Sequence, residues 1–446
     1  MKRVLLATTA LGLGAGVAFA QDAMMDMAPS ITLSGDAEMG VAGSKDDSVR
    51  FHTDVNVEFK MEATTDAGVT FGTSVGLNDI EDPGATSTNG SNDTTNDDDN
   101  HGGIAIHMSD PDGFGTLTLG DTDGAYDWAL SEIVGVGGGS IRDNEEHGGY
   151  DGNGGLDGKH DGQLLRWDRA IGSGFSFAAS VELSDDTGGT PTGSPYDPIV
   201  GVGGQYTMGM AAGTLTLGGG YQMGSWDHVF NESQTAQRVR YDAAPTTSLT
   251  TAQLNGAAFL PKATATAVAT GSSPHWGTGA GSASKTGWEI EGGIVGGSAS
   301  MDFGGDMGGL KVILNASVME ADGSYGTAAP RQTLDVEQTY LGLGLGYAVG
   351  DVKLGVNVGN KVMESTYDPS NATAATNDNI VEEKTTNGVG FTVGYDLGGG
   401  ATLKFGIGSS ETDHDWTYQA APTTRSATHD YSTDANSWSL GVAFKF

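Results

Sequence analysis

The sequence has no cysteine among its 446 residues. That excludes disulfide scaffolds, zinc–thiolate sites and cysteine nucleophiles together. It also suits a chain that crosses an oxidising periplasm, where stray thiols would pair. Positive charge is scarce. There are 21 Lys and Arg against 57 Asp and Glu, a net charge of −36. Such a chain lacks the basic face that phosphate requires, so nucleic acid is not an expected partner. Beyond Gln21 no apolar run approaches about 18 residues, so no transmembrane helix is expected. Proline is sparse, at 12 residues.

Glycine, by contrast, is abundant at 73 residues. Aperiodic glycine can mean disorder, but 14 Phe, 13 Tyr and 7 Trp are too many for a solvating tail. The N-terminus reads as a secretory signal. Lys2 and Arg3 form a positive region, Val4 to Val17 an apolar one, and "AFA" (Ala18 to Ala20) a small-residue cleavage site. Residues 1–20 are therefore expected to be cleaved, leaving a single domain over 21–446.

The hydrophobic period after that is two. In "RFHTDVNVEFK", Phe51, Thr53, Val55, Val57 and Phe59 share one face. Arg50, His52, Asp54, Asn56, Glu58 and Lys60 share the other. Strict alternation is the strand signature. "LGLGLGYAVG" alternates large apolar residues with Gly, as do "VKLGVNVGNK" and "ATLKFGIGSS". Glycine on an inward face leaves lumen space, which accounts for its excess.

Sixteen such segments are expected, near 30–43, 49–63, 67–78, 102–110, 114–121, 163–170, 174–184 and 198–208, then 213–223, 286–303, 309–320, 336–349, 351–362, 387–396, 401–411 and 435–446. Their connections alternate in length. Tight turns such as "ATTDAG" and "AIGSG" fall between longer polar loops at 44–48, 79–101, 122–162, 185–197, 224–285, 321–335, 363–386 and 412–434. Short periplasmic turns and long extracellular loops are the pattern of an outer-membrane barrel. A soluble sandwich has no reason to sort its connections this way.

The last segment, "SWSLGVAFKF", ends on Phe446, as the final strands of bacterial outer-membrane barrels do. "GTLTLGDTDGAYDWALSE" (Gly115 to Glu132) resembles the strand and early third loop of alphaproteobacterial general-diffusion porins. "FHTDVNVEFKMEATTDAGVTFGTSVGL" resembles their second and third strands. The resemblance implies an all-β, 16-stranded antiparallel transmembrane barrel, a homotrimer, with the third loop folded into the lumen. It implies a water-filled channel for small hydrophilic solutes, with loop carboxylates facing basic wall residues across a constriction. The long 224–285 connection departs from that pattern.

On that reading the loop contributes Asp121, Asp123, Asp127, Glu132, Asp143, Glu145 and Glu146 to the constriction. Arg50 and Arg166 are expected on the wall opposite, and Arg169, Lys60, Lys311, Lys353 and Lys404 rank below them. Opposed charges would set a transverse field, and the carboxylate excess predicts mild cation preference. No cofactor is required. Asp151, Asn153, Asp157 and Asp161, spaced by Gly, read either as a calcium site or as a solvated loop. "NDTTNDDDN" (Asn92 to Asn100) reads as a solvated surface loop, with divalent cations bridging it to lipopolysaccharide as the lesser alternative. "GTSVG" around Ser74 sits mid-strand, without the strand–turn–helix of a nucleophile elbow. Rival readings are a substrate-specific channel for sugars or anions, and a secreted calcium-binding β-structure adhesin.

Overall fold

The computed structural model describes residues 29–45, 48–78, 101–134, 136–142, 145, 152–159, 163–183, 197–228, 288–304, 308–325, 332–368, 378–420 and 425–446. The expected signal segment, "NDTTNDDDN", Asp143, Glu146, Asp151, Asp161 and nearly all of the 224–285 connection lie outside these residues.

The strands are β1 (Ser30–Ser44), β2 (Arg50–Thr64), β3 (Thr70–Asn78), β4 (His101–Asp110), β5 (Gly115–Gly120), β6 (Leu164–Gly172), β7 (Phe175–Glu182) and β8 (Ile199–Met210). They continue with β9 (Gly213–His228), β10 (Trp288–Phe303), β11 (Leu310–Tyr325), β12 (Gln332–Val349), β13 (Val352–Asp368), β14 (Asp378–Gly398), β15 (Ala401–Ala420) and β16 (Arg425–Lys445). One short helix, α1 (Ala125–Ala129), follows β5. Each strand pairs antiparallel with its sequence neighbour, and β1 pairs with β16, so the sheet closes as a barrel of sixteen strands. Phe446 donates its backbone N–H to the Gly35 carbonyl at 2.9 Å, which ties the last residue into the closure.

The period-two pattern sets the faces. Ile31, Leu33, Phe51, Leu314, Leu341 and Ile407 are exposed. The residues alternating with them are mostly polar or Gly, with a few apolar ones such as Ile313 and Tyr340 buried on the other face. Closure removes every strand edge, and the alternation turns one apolar face to one side of the wall. Tight turns link the strands at one end. Gly350, with φ +57, makes the two-residue turn from β12 to β13, a conformation that favours glycine. Thr65 and Gly68 bond within the β2–β3 turn. Exposed Phe71, Phe114, Phe175, Tyr347, Tyr395 and Phe446 gather near that end as an aromatic belt.

The wall is uneven. β3 to β7 have 6 to 10 residues each, whereas β9 to β16 have 16 to 21. A tilted strand needs about 9–11 residues to cross a bilayer, so the longer strands run beyond it. Most of the expected loops at 363–386 and 412–434 are therefore strand, since β13 reaches Asp368, β14 starts at Asp378, and β15 and β16 leave only 421–424 between them. Outside the apolar band both faces are polar, so alternation fades while the hydrogen-bond ladder continues. On this taller side one rung carries Glu320, Glu337, Glu364, Glu383 and Asp415 on five adjacent strands. All five are exposed and share the apolar face.

Candidate functional site

The segment between β5 and β6 lies against the glycine-bearing face. Its root is fixed at β6, where Arg166 Nη1 donates to the Asp123 carbonyl at 2.6 Å and Nε to Asp168 Oδ1 at 3.2 Å. α1 follows. Ala125 N–H donates to Ser180 Oγ on β7 at 2.9 Å, and Gln205 Nε2 on β8 donates to the Trp128 carbonyl at 2.6 Å. Tyr126 is wholly buried over β9 and β10, where a Cβ on Gly220 or Gly296 would collide with it.

From α1 the segment follows strand after strand. Ser131 N–H donates to Ser298 Oγ on β10 at 2.7 Å, and Asn315 Nδ2 on β11 donates to the Ser131 carbonyl at 2.9 Å. Ile133 packs with Ile313 and Tyr340, with Val134 and Val136 beside them. A side chain on Gly346 of β12 would strike Val136, and Gly137 and Gly138 press on Gly355 of β13 and Gly394 of β14. Ser140 and Glu145 rest on Gly406 of β15, and Ile141 on Gly441 of β16 and Gly40 of β1. Glycine is required along this track because backbone meets backbone.

The return limb closes back on α1. Asn153 Oδ1 accepts from Tyr126 Oη (3.1 Å) and Ser317 Oγ (2.8 Å), while its Nδ2 donates to Asn315 Oδ1 at 2.6 Å. Asp157 Oδ2 accepts the Gly124 N–H at 2.8 Å, and its Oδ1 accepts from Gln222 Nε2. Gln222 Oε1 accepts the Leu156 N–H at 2.7 Å, and Glu182 Oε2 the Gly158 N–H at 3.2 Å. The two described members of the expected calcium set thus use their side-chain oxygens as hydrogen-bond acceptors. Among the described residues no group of three or more acidic or histidine side chains is placed to hold a metal.

At the far end the segment meets charge. Glu145 is fully buried, and its Oε2 accepts from Ser439 Oγ at 2.9 Å, while Oε1 has no hydrogen-bond partner among the described residues. Burial pushes its carboxyl above the usual carboxylate range, and the Ser439 hydroxyl only partly offsets this. Lys404 Nζ donates to Glu38 Oε1 at 2.7 Å and to the Ser140 carbonyl at 3.2 Å.

The remaining candidates are dispersed. Asp121 is exposed beside Gly103, Asp123 is exposed, Asp127 lies in the first turn of α1, and Glu132 is half-buried near Gly152. Arg50 is exposed at the first residue of β2, opposite Ala42. Arg166 sits at the segment's root, beside it in sequence and space, and not across from it. Arg169 was a lesser expectation for the same wall. It pairs instead with Phe177 on the apolar face, because it lies one residue out of phase with Arg166 and Asp168. Ser74 stands mid-strand on β3, opposite Lys60.

The segment leaves one part of the polar face half-open. Under it, Gln222, Ser298, Asn315, Ser317, Asn357, Thr392 and Ser439 are buried. On β2, by contrast, His52, Asp54, Asn56, Glu58 and Glu62 are half-exposed. Lys60 there is paired with Glu62 at 2.9 Å, and His107 on β4 lies 3.4 Å from the same carboxylate. The strip therefore carries several carboxylates, with its one lysine already neutralised. These β2 acids belonged to the polar face visible in sequence, but nothing in their spacing set them apart from other polar positions.

Residues 7–446 match the family described as Gram-negative porin. The chain belongs to the Gram-negative porins. Its fold is similar to that of an outer-membrane-expressed OmpT of Vibrio cholerae, at TM-score 0.52 and 10% identity over 96% of this chain and 99% of that one. An in-vitro folded OmpT of the same organism, in its trimer form, is similar at TM-score 0.51 and 11% identity, over 94% and 100% of the two chains. At such identities the likeness is one of fold. No curated relative matches the chain. Family and barrel together place the porin in the outer membrane as a diffusion channel, with its apolar face against lipid.

Proposed function

We propose that this porin is a general-diffusion channel for small hydrophilic solutes and ions, with a mild preference for cations. In this reading the segment after β5 occupies the lumen and narrows it, and solutes pass between that segment and the wall of β2 to β4. The observation that carries it is the contrast in exposure. The polar face is buried beneath the segment but half-open at Asp54, Glu58 and Glu62. A water-filled gap lined by carboxylates concentrates cations and, among the described residues, offers no aromatic slide or clustered bases for a dedicated sugar or phosphate. A homotrimer is the assembly adopted here, as in the trimer form of the Vibrio cholerae protein.

Reconstitution into planar bilayers tests the reading. Stepwise ohmic conductance and a reversal potential favouring potassium over chloride are expected in a salt gradient. Chloride preference would overturn the cation assignment. Saturating block by one sugar or by phosphate would replace general diffusion with a specific channel.

A further inference from the structure

The apolar face holds glycines that packing within the chain does not require. Gly204 on β8 is in register with Gly219 on β9, and Gly219 with Gly297 on β10. A Cβ on any of the three would meet only a backbone oxygen at 3.5–3.8 Å, an ordinary contact. This is the reverse of the crowded glycines under the inner segment. A side chain would fit at each position, yet none is there. Glycine also weakens a strand, and often marks a place where something else approaches the backbone. The result is a furrow on the lipid face. Its two hollows, about 380 and 360 Å³, lie over Gly204 and Gly219 between Phe177, Tyr206, Leu217 and Tyr221.

The same rung ends in a charge. Gly204 pairs with Phe177 on β7, and Phe177 with Arg169 on β6. Arg169 thus stands on the lipid face, four residues before the β6–β7 turn at Ser173. Its Nε is buried without a hydrogen-bond partner among the described residues. Trp167 on the same face meets Phe177 edge to face at 6.0 Å and donates to the Phe114 carbonyl at 2.6 Å. A guanidinium facing lipid is costly unless an anion meets it. At the short-turn end, which is the periplasmic end of such barrels, the available anion is a lipid phosphate.

We propose that Arg169 and the Gly204–Gly219–Gly297 furrow form a binding site for one glycerophospholipid of the periplasmic leaflet. The phosphate pairs with Arg169, and an acyl chain lies across Phe177 into the furrow. This goes beyond the channel reading and does not depend on where solutes pass.

The test uses the full-length porin in detergent, with lipid binding followed by native mass spectrometry. Phosphatidylglycerol is compared with diacylglycerol of the same chains, which lacks the phosphate. Phosphatidylglycerol is expected to bind at least about tenfold more tightly. Arg169→Gln should abolish that difference, and Gly219→Leu should weaken both lipids. Single-channel conductance should be unchanged in both variants, which shows the barrel intact. Equal binding of the two lipids, or variants that bind like the parent, overturns the site. If Gly219→Leu instead splits an oligomer while lipid binding persists, the furrow belongs to a second copy of the chain and the proposal fails.

Discussion

Lys404 on β15 reaches Glu38 on β1 over the strand between them, Nζ to Oε1 at 2.7 Å. It can do so because its partner on β16 is Gly441, which in turn faces Gly40 on β1, so no side chain intervenes. The same ammonium holds the Ser140 carbonyl. One lysine therefore ties the closing seam of the barrel to the far end of the segment that follows β5.

Removing that lysine should loosen both. Lys404→Met keeps the aliphatic stem but frees Ser140 and leaves Glu38 without its cation. Hydrogen bonds to charged groups contribute about 1.5–3 kcal/mol each. A lower melting temperature and noisier open-channel current are expected. Quiet, parent-like single-channel traces would show that the contact does not hold the segment.

Asn315 should matter as much, from the other side. It bonds both the outgoing Ser131 and the returning Asn153. Asn315→Leu leaves the buried Asn153 amide without its acceptor, at about 1–3 kcal/mol, and removes the donor to the part-buried Ser131 carbonyl. Larger conductance with more rapid fluctuation is the expected outcome in bilayers. Unaltered conductance would mean that this crossing of the two limbs is dispensable.

Charge on β2 should set selectivity. Replacing Asp54 with Asn and both Glu58 and Glu62 with Gln removes the half-exposed acids while preserving size. The reversal potential should shift toward neutrality, more so at low salt because screening is weaker there. If cation preference survives the triple replacement, conduction does not follow this strip.

Glu145 makes the segment sensitive to pH. Its carboxyl titrates above the usual carboxylate range when folded. The folded state thus favours the protonated form, and the contribution to stability is complete below the unfolded value. It declines as pH rises through the folded one. Melting temperature should fall over that interval, and Glu145→Gln should flatten the fall and stabilise at neutral pH. Parallel pH profiles for parent and variant would remove Glu145 from the account.

The strands were legible because each one alternates. Sixteen segments and their short turns follow from that period alone. Strand ends were not legible where β13 to β16 leave the apolar band, since polar residues on both faces carry no phase. The track of the segment between β5 and β6 was hidden for a different reason. "LGLGLG" shows that glycine faces one side, but not that Ile133 and Val136 lie on it. Arg166 and Arg169 differ by one phase step. The alternation around Leu165 and Trp167 puts Arg166 on the polar face and, followed two residues beyond Trp167, already puts Arg169 on the apolar one.

The acidic rung on the tall side has a consequence for how the barrel sits. Glu320, Glu337, Glu364, Glu383 and Asp415 point the same way as the lipid-facing residues below them, with Val318 one step lower on β11. Sliding the porin toward the periplasm would drag Glu320 into hydrocarbon first, with the acids on β12 to β15 following as the row climbs with the strand tilt. Sliding it outward would lift the aromatic belt off its own interface. The row resists sinking one strand after another, and it limits the depth of the channel before any loop or neighbour is considered.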